Sequence, residues 1–548
     1  MSNARPLPRT DHPKAETQTQ AITQLGAGLA LAFIVTAAPV LLHVISQPVA
    51  ILFCIAAAAL VVRVFQEHIL TVVLTANIFQ NVFVSLVSPN FTDFSDIEPL
   101  KSYNFITTIC VWAGVALQFV WRRESYSPLV RRMILVSIVV LGLVGLYFAA
   151  GLAINSRNAI IYMRNIGLPV LMFQLFLVVG AERRVDLPSI VAAVLGLTLL
   201  CGYMELAFTD TWLTLTNGWT YNTLNAAKRL VDMQEIQANA KEGRVITNAI
   251  EYSQSKFLNL GLPGAFDFMV ARLQGPNFHP ISFGYLLATL IAFSIIDGYA
   301  PIGFLAVPLL LATSAKGPLA LLLASLGVYW LARRVGARRA VAALALVLCA
   351  YAVIGVVSGR SSGDYHVLGL LGGLNGFLKF PVGHTLGDGG NLSVPDFNAI
   401  DWSKFQQDGA ASLAVESAVG VLFFQLGVAA AAVLAFYVWI ARIAWRLFDA
   451  THAPALAFAG GATLTLLVNG LFQEEAYFSP LSLGLLMSFV GLVLGSVDRE
   501  IVARRFARAQ PAGKLARASL HHDAALGFAP PSPPGRVKRP LASRPKPT

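Results

Sequence analysis

The stretch WRRESYSPLVRRMILVSIVVLGLVGLYFAAG (121–151) decides the fold. Its first twelve residues carry four arginines, and the run after them, 133–153, is uncharged and apolar. A bilayer core is crossed by a helix of about 20 apolar residues. Positive charge collects on the cytoplasmic side of such helices. The stretch therefore reads as a membrane span entered from a basic cytoplasmic loop.

The composition agrees along all 548 residues. Hydrophobic residues make up 56%, charged residues 13%, and the mean hydropathy is +0.65. Soluble domains carry roughly 25% charge. So little charge cannot coat a water-soluble body of this size. A cytosolic enzyme, a disordered regulator and a secreted disulfide scaffold are excluded. Cys54, Cys110, Cys201 and Cys349 lie far apart inside apolar runs, where they read as small apolar side chains.

Working outward with the same criterion gives spans near 22–45, 48–63, 68–88, 103–121, 133–153, 165–181, 188–208, 281–297, 301–315, 317–332, 340–357, 413–440, 453–471 and 479–497. Tight turns join 22–45 to 48–63 and 301–315 to 317–332, so each pair could be one kinked or re-entrant element. The expected fold is an all-α polytopic membrane protein of about 12–14 transmembrane helices. The first span is too long for a signal-peptide core and is read as retained.

The charges then fix an orientation. With both termini cytoplasmic, 27 Lys and Arg and 11 Asp and Glu fall inside, against 13 and 18 outside. The formal charge of +11 thus divides into +16 and −5, a strong positive-inside bias. This divides the chain into a cytoplasmic N-terminal tail (1–21), an N-terminal bundle (22–208), a periplasmic loop (209–280), further spans (281–357), a second periplasmic loop (358–412), C-terminal spans (413–497) and a basic tail (498–548). A third long outer segment, 89–102, is mildly acidic. Within the first loop, Asn222 to Asn259 reads as largely helical. The second loop is rich in Gly and Asp with weak secondary-structure signals. The tail lacks a core-forming pattern and reads as disordered, resting against anionic headgroups rather than nucleic acid.

Charged groups at membrane depth are costly and usually functional. Four stand at the outer ends of spans. Arg164, in NSRNAIIYMRNIGLP, either snorkels to headgroups or contacts an anion. Arg272 opens RLQGPNFHP, where Gly275, Pro276 and Pro280 force a turn before the next span. His279 shares that turn as a polar contact or a catalyst, and the following helix start adds partial positive charge. Lys316, in LLLATSAKGPLALLLA, has no charge within ten residues on either side, and is a turn residue or an anion contact. Glu416, in ASLAVESAVGVLFFQLG, sits at a helix start, where it is either dipole-stabilised or a general base. Cations with one carboxylate suit a polyanion such as a diphosphate and a hydroxyl to be deprotonated. The sequence contains no Walker A motif, no H-E-x-x-H, no D-x-D and no recognisable metal-ligand spacing.

At these residues the chain resembles the O-antigen ligase/polymerase superfamily of bacterial envelope glycosyltransferases. The resemblance rests on YMRNI (162–166), RLQGPNFHPISFG (272–284), SAKGPLALLL (314–323), GDGGN (387–391) and VESAVGVLFFQLG (415–427). Lys316 stands where the family commonly has Arg, and Glu416 where ligases commonly have His. The Glu416 departure tilts towards the polysaccharide polymerases.

The resemblance implies a GT-C-like, metal-independent, inverting glycosyl transfer at the periplasmic face of the bacterial inner membrane, with no cofactor. Its substrates would be undecaprenyl-diphosphate-linked oligosaccharides, with a chain-length regulator and a flippase as further partners. Arg272 and Lys316 would hold the diphosphate, Glu416 would take the acceptor proton, and Arg164, His279, Gly275, Asp388 and Asn391 would contact substrate. Two rivals stand beside this expectation: a ligase that moves finished glycan to lipid A–core or protein, and a flippase or other secondary transporter.

Overall fold

The computed structural model describes residues 15–227, 254–259, 268–393, 402–412 and 414–509. It is all-α: among the described residues, eleven helices are long and apolar enough to cross a membrane, and three shorter apolar helices accompany them. The chain is a polytopic membrane protein. Its contacts divide it into two units, 1–499 and 500–548. In the second, residues 500–509 are helical, and 510–548 lie outside the described residues.

In chain order the main helices are α1 (Ala15–Ile45), α2 (Gln47–Arg63), α3 (Ile69–Val87), α4 (Tyr103–Trp121), α5 (Pro128–Leu152), α6 (Ser156–Glu182) and α7 (Leu187–Ala207). After the first long loop come α8 (Pro280–Asp297), α9 (Ala300–Ala312), α10 (Lys316–Val335), α11 (Ala337–Ser362) and α12 (Tyr365–Lys379). The chain closes with α13 (Ala418–Leu426), α14 (Ala429–Thr451), α15 (Pro454–Asn469) and α16 (Leu485–Ala509).

Both doubtful pairs are separate helices. Ser46 breaks α1 from α2 with Gln47 and Pro48 opening the second. His68, at the start of α3, lies against Gly28 in the first half of α1, so α1 and α3 run parallel with α2 returning between them. Helices α5 and α6 turn about Asn155, whose backbone is non-helical (φ −145°, ψ 84°). Gln174 of α6 donates to Ser137 of α5 at 2.9 Å, as antiparallel partners do. The expected single span at 413–440 is instead two helices, broken at Gly427 (φ 53°).

Burial sorts the spans into layers. The windows of Gln66–Asn90, Ser156–Glu182, Pro280–Asp297 and Pro480–Arg504 are 78–83% buried, whereas those of Ser95–Trp121, Pro128–Leu152 and Ala337–Ser362 are only 17–28% buried. The first four, built around α3, α6, α8 and α16, form the centre. The last three, carrying α4, α5 and α11, present apolar side chains such as Leu146, Val120 and Val357 outward, where a lipid solvent satisfies them. Central packing uses backbone contact: a Cβ on Gly491 would meet Phe173 O, and one on Gly495 would meet Leu177 O. Small residues at helix interfaces let backbones approach in this way.

One end of the bundle, termed upper here, is where α1 finishes and α2 begins. His43 of α1 and Tyr103 at the start of α4 meet there, 2.6 Å apart. The segments that the charge pattern puts outside gather at this end. Asn81 donates to Asn277 O, Leu273 N to Ala312 O, Asn158 to Leu392 O and Val419 N to Gly470 O.

Three expectations about these segments need correction. Within Asn222–Asn259, residues 222–227 are helical and 228–253 lie outside the described residues. Residues Gln254–Lys256 form a strand, β1, antiparallel to β2 (Met269–Ala271) with Gln254 opposite Ala271. The second loop is not without structure, because α12 occupies 365–379. Its glycines, which read as loop, form a packing face: Gly369 abuts Val415 O and Gly373 abuts Gly420 O. The basic tail begins later than 498, since α16 runs to Ala509.

Candidate functional site

The turn Arg272–His279 is built by a carboxylate that the sequence reading passed over. Glu205, at the top of α7 and only 7% exposed, accepts from Gln274 N at 2.8 Å and Gly275 N at 2.7 Å. Gly275 has φ 66°, and a Cβ there would collide with the Phe283 ring. Its amide is therefore spent on Glu205, and Gly275 bends the turn rather than facing a ligand.

The turn then locks onto the top of α9. Arg272 Nε donates to Thr313 O at 3.0 Å, and Leu273 N donates to Ala312 O at 3.1 Å. Burial pulls the pKa of the Arg272 guanidinium below its usual value, and the charge of Glu475 acts against that pull. Such a group stays cationic in a protein. His279 caps α8: its Nδ1 accepts from Ser282 N at 3.3 Å, and Ser479 Oγ donates to Ser282 Oγ at 2.9 Å. Lys316 is exposed at the start of α10, and the Asp364 carboxylate acts on it.

Glu416 lies just before α13. Asn391 grips it twice: Asn391 Nδ2 donates to Glu416 Oε1 at 3.0 Å, and Glu416 N donates to Asn391 Oδ1 at 2.9 Å. His366 of α12 completes the cradle, with Nδ1 3.2 Å from Glu416 O and 3.7 Å from Oε2. Gly369 of α12, which abuts Val415, therefore also fixes the neighbouring Glu416. Glu416 has φ 59°, a conformation that few residues other than glycine adopt. Phe278 (φ 53°) beside His279 and Ser314 (φ 52°) near Lys316 share it.

Behind Glu416 lies a second carboxylate. Tyr162 of α6 is fully buried, and its hydroxyl donates to Glu474 Oε1 at 3.0 Å. Burial first, then the charges of Glu475 and Glu416, push Glu474 from an ordinary value of 4.5 up to about 8. Folded Glu474 keeps its proton where the unfolded chain releases it. Its contribution to stability is thus full below about pH 4.5 and is lost as pH rises towards about 8. Wild-type protein in detergent is expected to lose more thermal stability over that window than Glu474→Gln. Equal pH slopes in the two melting series would refute this.

Tyr365, at the start of α12, marks where these groups converge. Burial raises its pKa, the charges of Glu416, Asp364 and Glu475 raise it further, and Arg272 lowers it. Glu416, Asp364, Glu475 and Arg272 thus all act on Tyr365, and Asp364 acts in turn on Lys316, although these residues come from distant parts of the chain. Arg164 belongs to another group. Its Nε donates to Asn165 Oδ1 at 3.2 Å, and the charge acting on it is that of Glu98, which also pairs with Arg157. Asp388 is exposed on the GDGGN loop. Asn391, expected to touch substrate, is the clamp on Glu416.

The sequence reading missed Glu205, Tyr162, His366, Glu474 and Glu475. The signal for the glutamates was available. GLFQEEAYFSP (470–480) carries two carboxylates between apolar runs, and Glu205 ends one, which is the same criterion that selected Glu416. Tyr162 and His366 carry no such mark. Among the described residues, no three His, Cys, Asp or Glu side chains gather as a metal ion would need.

Chemically, the region offers a fixed carboxylate able to take a proton from a hydroxyl, next to cations able to hold an anion. No protein-family model and no curated protein matches the chain.

Proposed function

We propose that the protein is a membrane glycosyltransferase that joins undecaprenyl-diphosphate-linked oligosaccharide repeats into a polysaccharide at the periplasmic face of the inner membrane. The observation that carries this reading is the Glu416 carboxylate, clamped by Asn391 and His366, in a region that also feels Arg272. In the reaction, the acceptor hydroxyl oxygen bonds to the anomeric carbon of the donor as the bond from that carbon to the diphosphate oxygen breaks. The bonding pair leaves with the diphosphate, and the hydroxyl proton passes to Glu416. Attack opposite the leaving group inverts the anomeric centre.

Arg272 and Lys316 offset the charge that grows on the departing diphosphate. Their cationic heads supply that charge, so the reading asks for no metal. Arg272 is held by Thr313 O through Nε, which leaves its terminal nitrogens to face a phosphate. Lys316 is exposed and offers a compact, mobile charge. Arg164, in its separate group, is assigned a secondary phosphate contact.

The test is the glycan profile of cells carrying Arg272→Ala or Lys316→Ala at normal protein level. Long polymer is expected to give way to single lipid-linked repeats. Wild-type chain length in both variants would sink the reading. Full-length polymer left on undecaprenyl diphosphate, with none on lipid A–core or protein, would show a ligase instead.

A further inference from the structure

Beneath the Arg272–His279 turn, among the upper parts of α3, α4, α6 and α8, lies a cavity of about 320 Å³. Its lining is unusual for a membrane interior. Six asparagines reach it from five places: Asn77 and Asn81 of α3, Asn104 of α4, Asn165 of α6, Asn277 of the turn and Asn391 of the GDGGN loop. Asn77 stands ten residues below the end of α3 at Val87, about 15 Å at helical rise. Amides at such depth are expensive unless they serve something.

Some of their hydrogen-bonding capacity is spent among themselves. Asn104 Nδ2 donates to Asn77 Oδ1 at 3.3 Å, Asn81 Nδ2 to Asn277 O at 2.7 Å and Asn277 Nδ2 to His279 O at 3.3 Å. The remainder is one-sided. Asn277 Oδ1, Glu474 Oε2 and Glu475 Oε2 are buried without a hydrogen-bond partner among the described residues, and all three residues line the cavity. Asn277 is 5% exposed and Glu474 7%, so bulk water does not reach them freely. Asn277 Oδ1 and Glu475 Oε2 are acceptors without donors, which costs free energy until something donates to them, whereas the protonated Glu474 can itself donate through Oε2.

The missing partner must therefore offer donors to Asn277 and Glu475 and an acceptor to Glu474. It must also carry no negative charge, because the Glu475 carboxylate lines the cavity and would repel it and, among the described residues, no Lys or Arg is there to offset it. It needs an apolar face as well, since Phe478, Pro480 and Leu481 close one side. A sugar ring has this make-up: hydroxyls around its edge and C–H groups on its faces. Asparagine suits a ring of hydroxyls, because each amide offers both a donor and an acceptor. The volume falls near the lower end of the roughly 300–1,000 Å³ typical of small-molecule sites.

We infer that this cavity binds one neutral, polyhydroxylated sugar ring and rejects a ring that bears a carboxylate. Asn391 lines the cavity and also grips Glu416, so a hydroxyl of the bound ring is brought beside the proton acceptor. This placement rests on the proposed function, under which the cavity receives the terminal sugar of the acceptor. The binding itself does not depend on that reading.

The experiment is saturation-transfer NMR on the full-length protein in detergent, with D-glucose, D-galactose, N-acetyl-D-glucosamine and D-glucuronate as separate probes. A lone ring is expected to bind weakly, at roughly millimolar concentrations. At least one neutral sugar should give a saturable signal, and glucuronate should give none. Asn277→Ala and Asn81→Ala should each weaken the neutral sugar by about tenfold, the loss of one good hydrogen bond.

Glucuronate binding as tightly as the neutral sugars would overturn the inference. So would the absence of any neutral-sugar signal, or stabilisation by sodium or calcium chloride alone. If both asparagine variants misfold, the wild-type comparison of neutral and acidic sugars decides the matter unaided. Sugar binding with normal polymer in Arg272→Ala and Lys316→Ala cells would remove the proposed function and keep the cavity. Loss of polymer in those cells with no sugar binding would do the reverse.

Discussion

Glu416→Gln is expected to fold normally and to make almost no polymer. Glutamine keeps the shape of the side chain, and its carbonyl can still accept from Asn391 Nδ2, as Glu416 Oε1 does at 3.0 Å. The backbone clamp, from Glu416 N to Asn391 Oδ1, is untouched. What disappears is the ability to take a proton, together with the charge that faces His366 and Glu474. A positioned general base contributes about 10²- to 10⁴-fold to rate. Turnover of a lipid-linked repeat in proteoliposomes should fall by that factor. Binding of the repeat should change far less, because the contacts assigned to the diphosphate lie on Arg272 and Lys316. Polymerisation at the wild-type rate, with the variant folded, would remove Glu416 from the reaction and the proposed chemistry with it.

The second large effect is steric. In Gly369→Ala, the new Cβ would collide with Val415 O, a backbone atom that cannot rotate away. Helices α12 and α13 must then separate. Overpacking of this kind costs about 1–3 kcal/mol. The functional loss should exceed the stability loss, because Val415 is the immediate neighbour of Glu416. A misplacement of roughly 1 Å at a reacting group can cost about 100-fold. The expected outcome is a lowered melting temperature together with a fall in turnover near that size. Gly142→Ala is the matched control, since a Cβ there meets nothing within 4 Å. Equal behaviour of the two variants in melting and turnover would show that the seam does not position the carboxylate.

The spans were legible because their signal is local. A run of apolar residues at bilayer length needs no knowledge of its neighbours, and 133–153 declares itself alone. The α12 helix was hidden for the opposite reason. Its glycines lower intrinsic helix propensity, and only the facing backbone of Val415 and Gly420 shows why they are there. The strand pair β1–β2 was likewise invisible, since three residues carry no periodicity.

The site divides in the same way. Arg272, Lys316 and Glu416 stood out as lone charges against apolar surroundings. Asn391 was noticed for its motif, but its grip on Glu416 is a contact across twenty-five residues. The six asparagines of the cavity come from five segments, and all but Asn391 are inconspicuous in their own. Convergence of ordinary residues is a property of the fold, and no single stretch of sequence records it.

The left-handed backbone at Glu416 has a consequence for how the protein tolerates change. A residue with a side chain held at φ 59° gives up about 1–3 kcal/mol relative to one at ease there. Glycine would recover much of that free energy at once. Selection for heat tolerance alone therefore pulls against position 416, and only selection for chemistry holds it in place. Stability and activity are set against each other at this single residue, so a thermostabilised version is best sought with Glu416 fixed from the start.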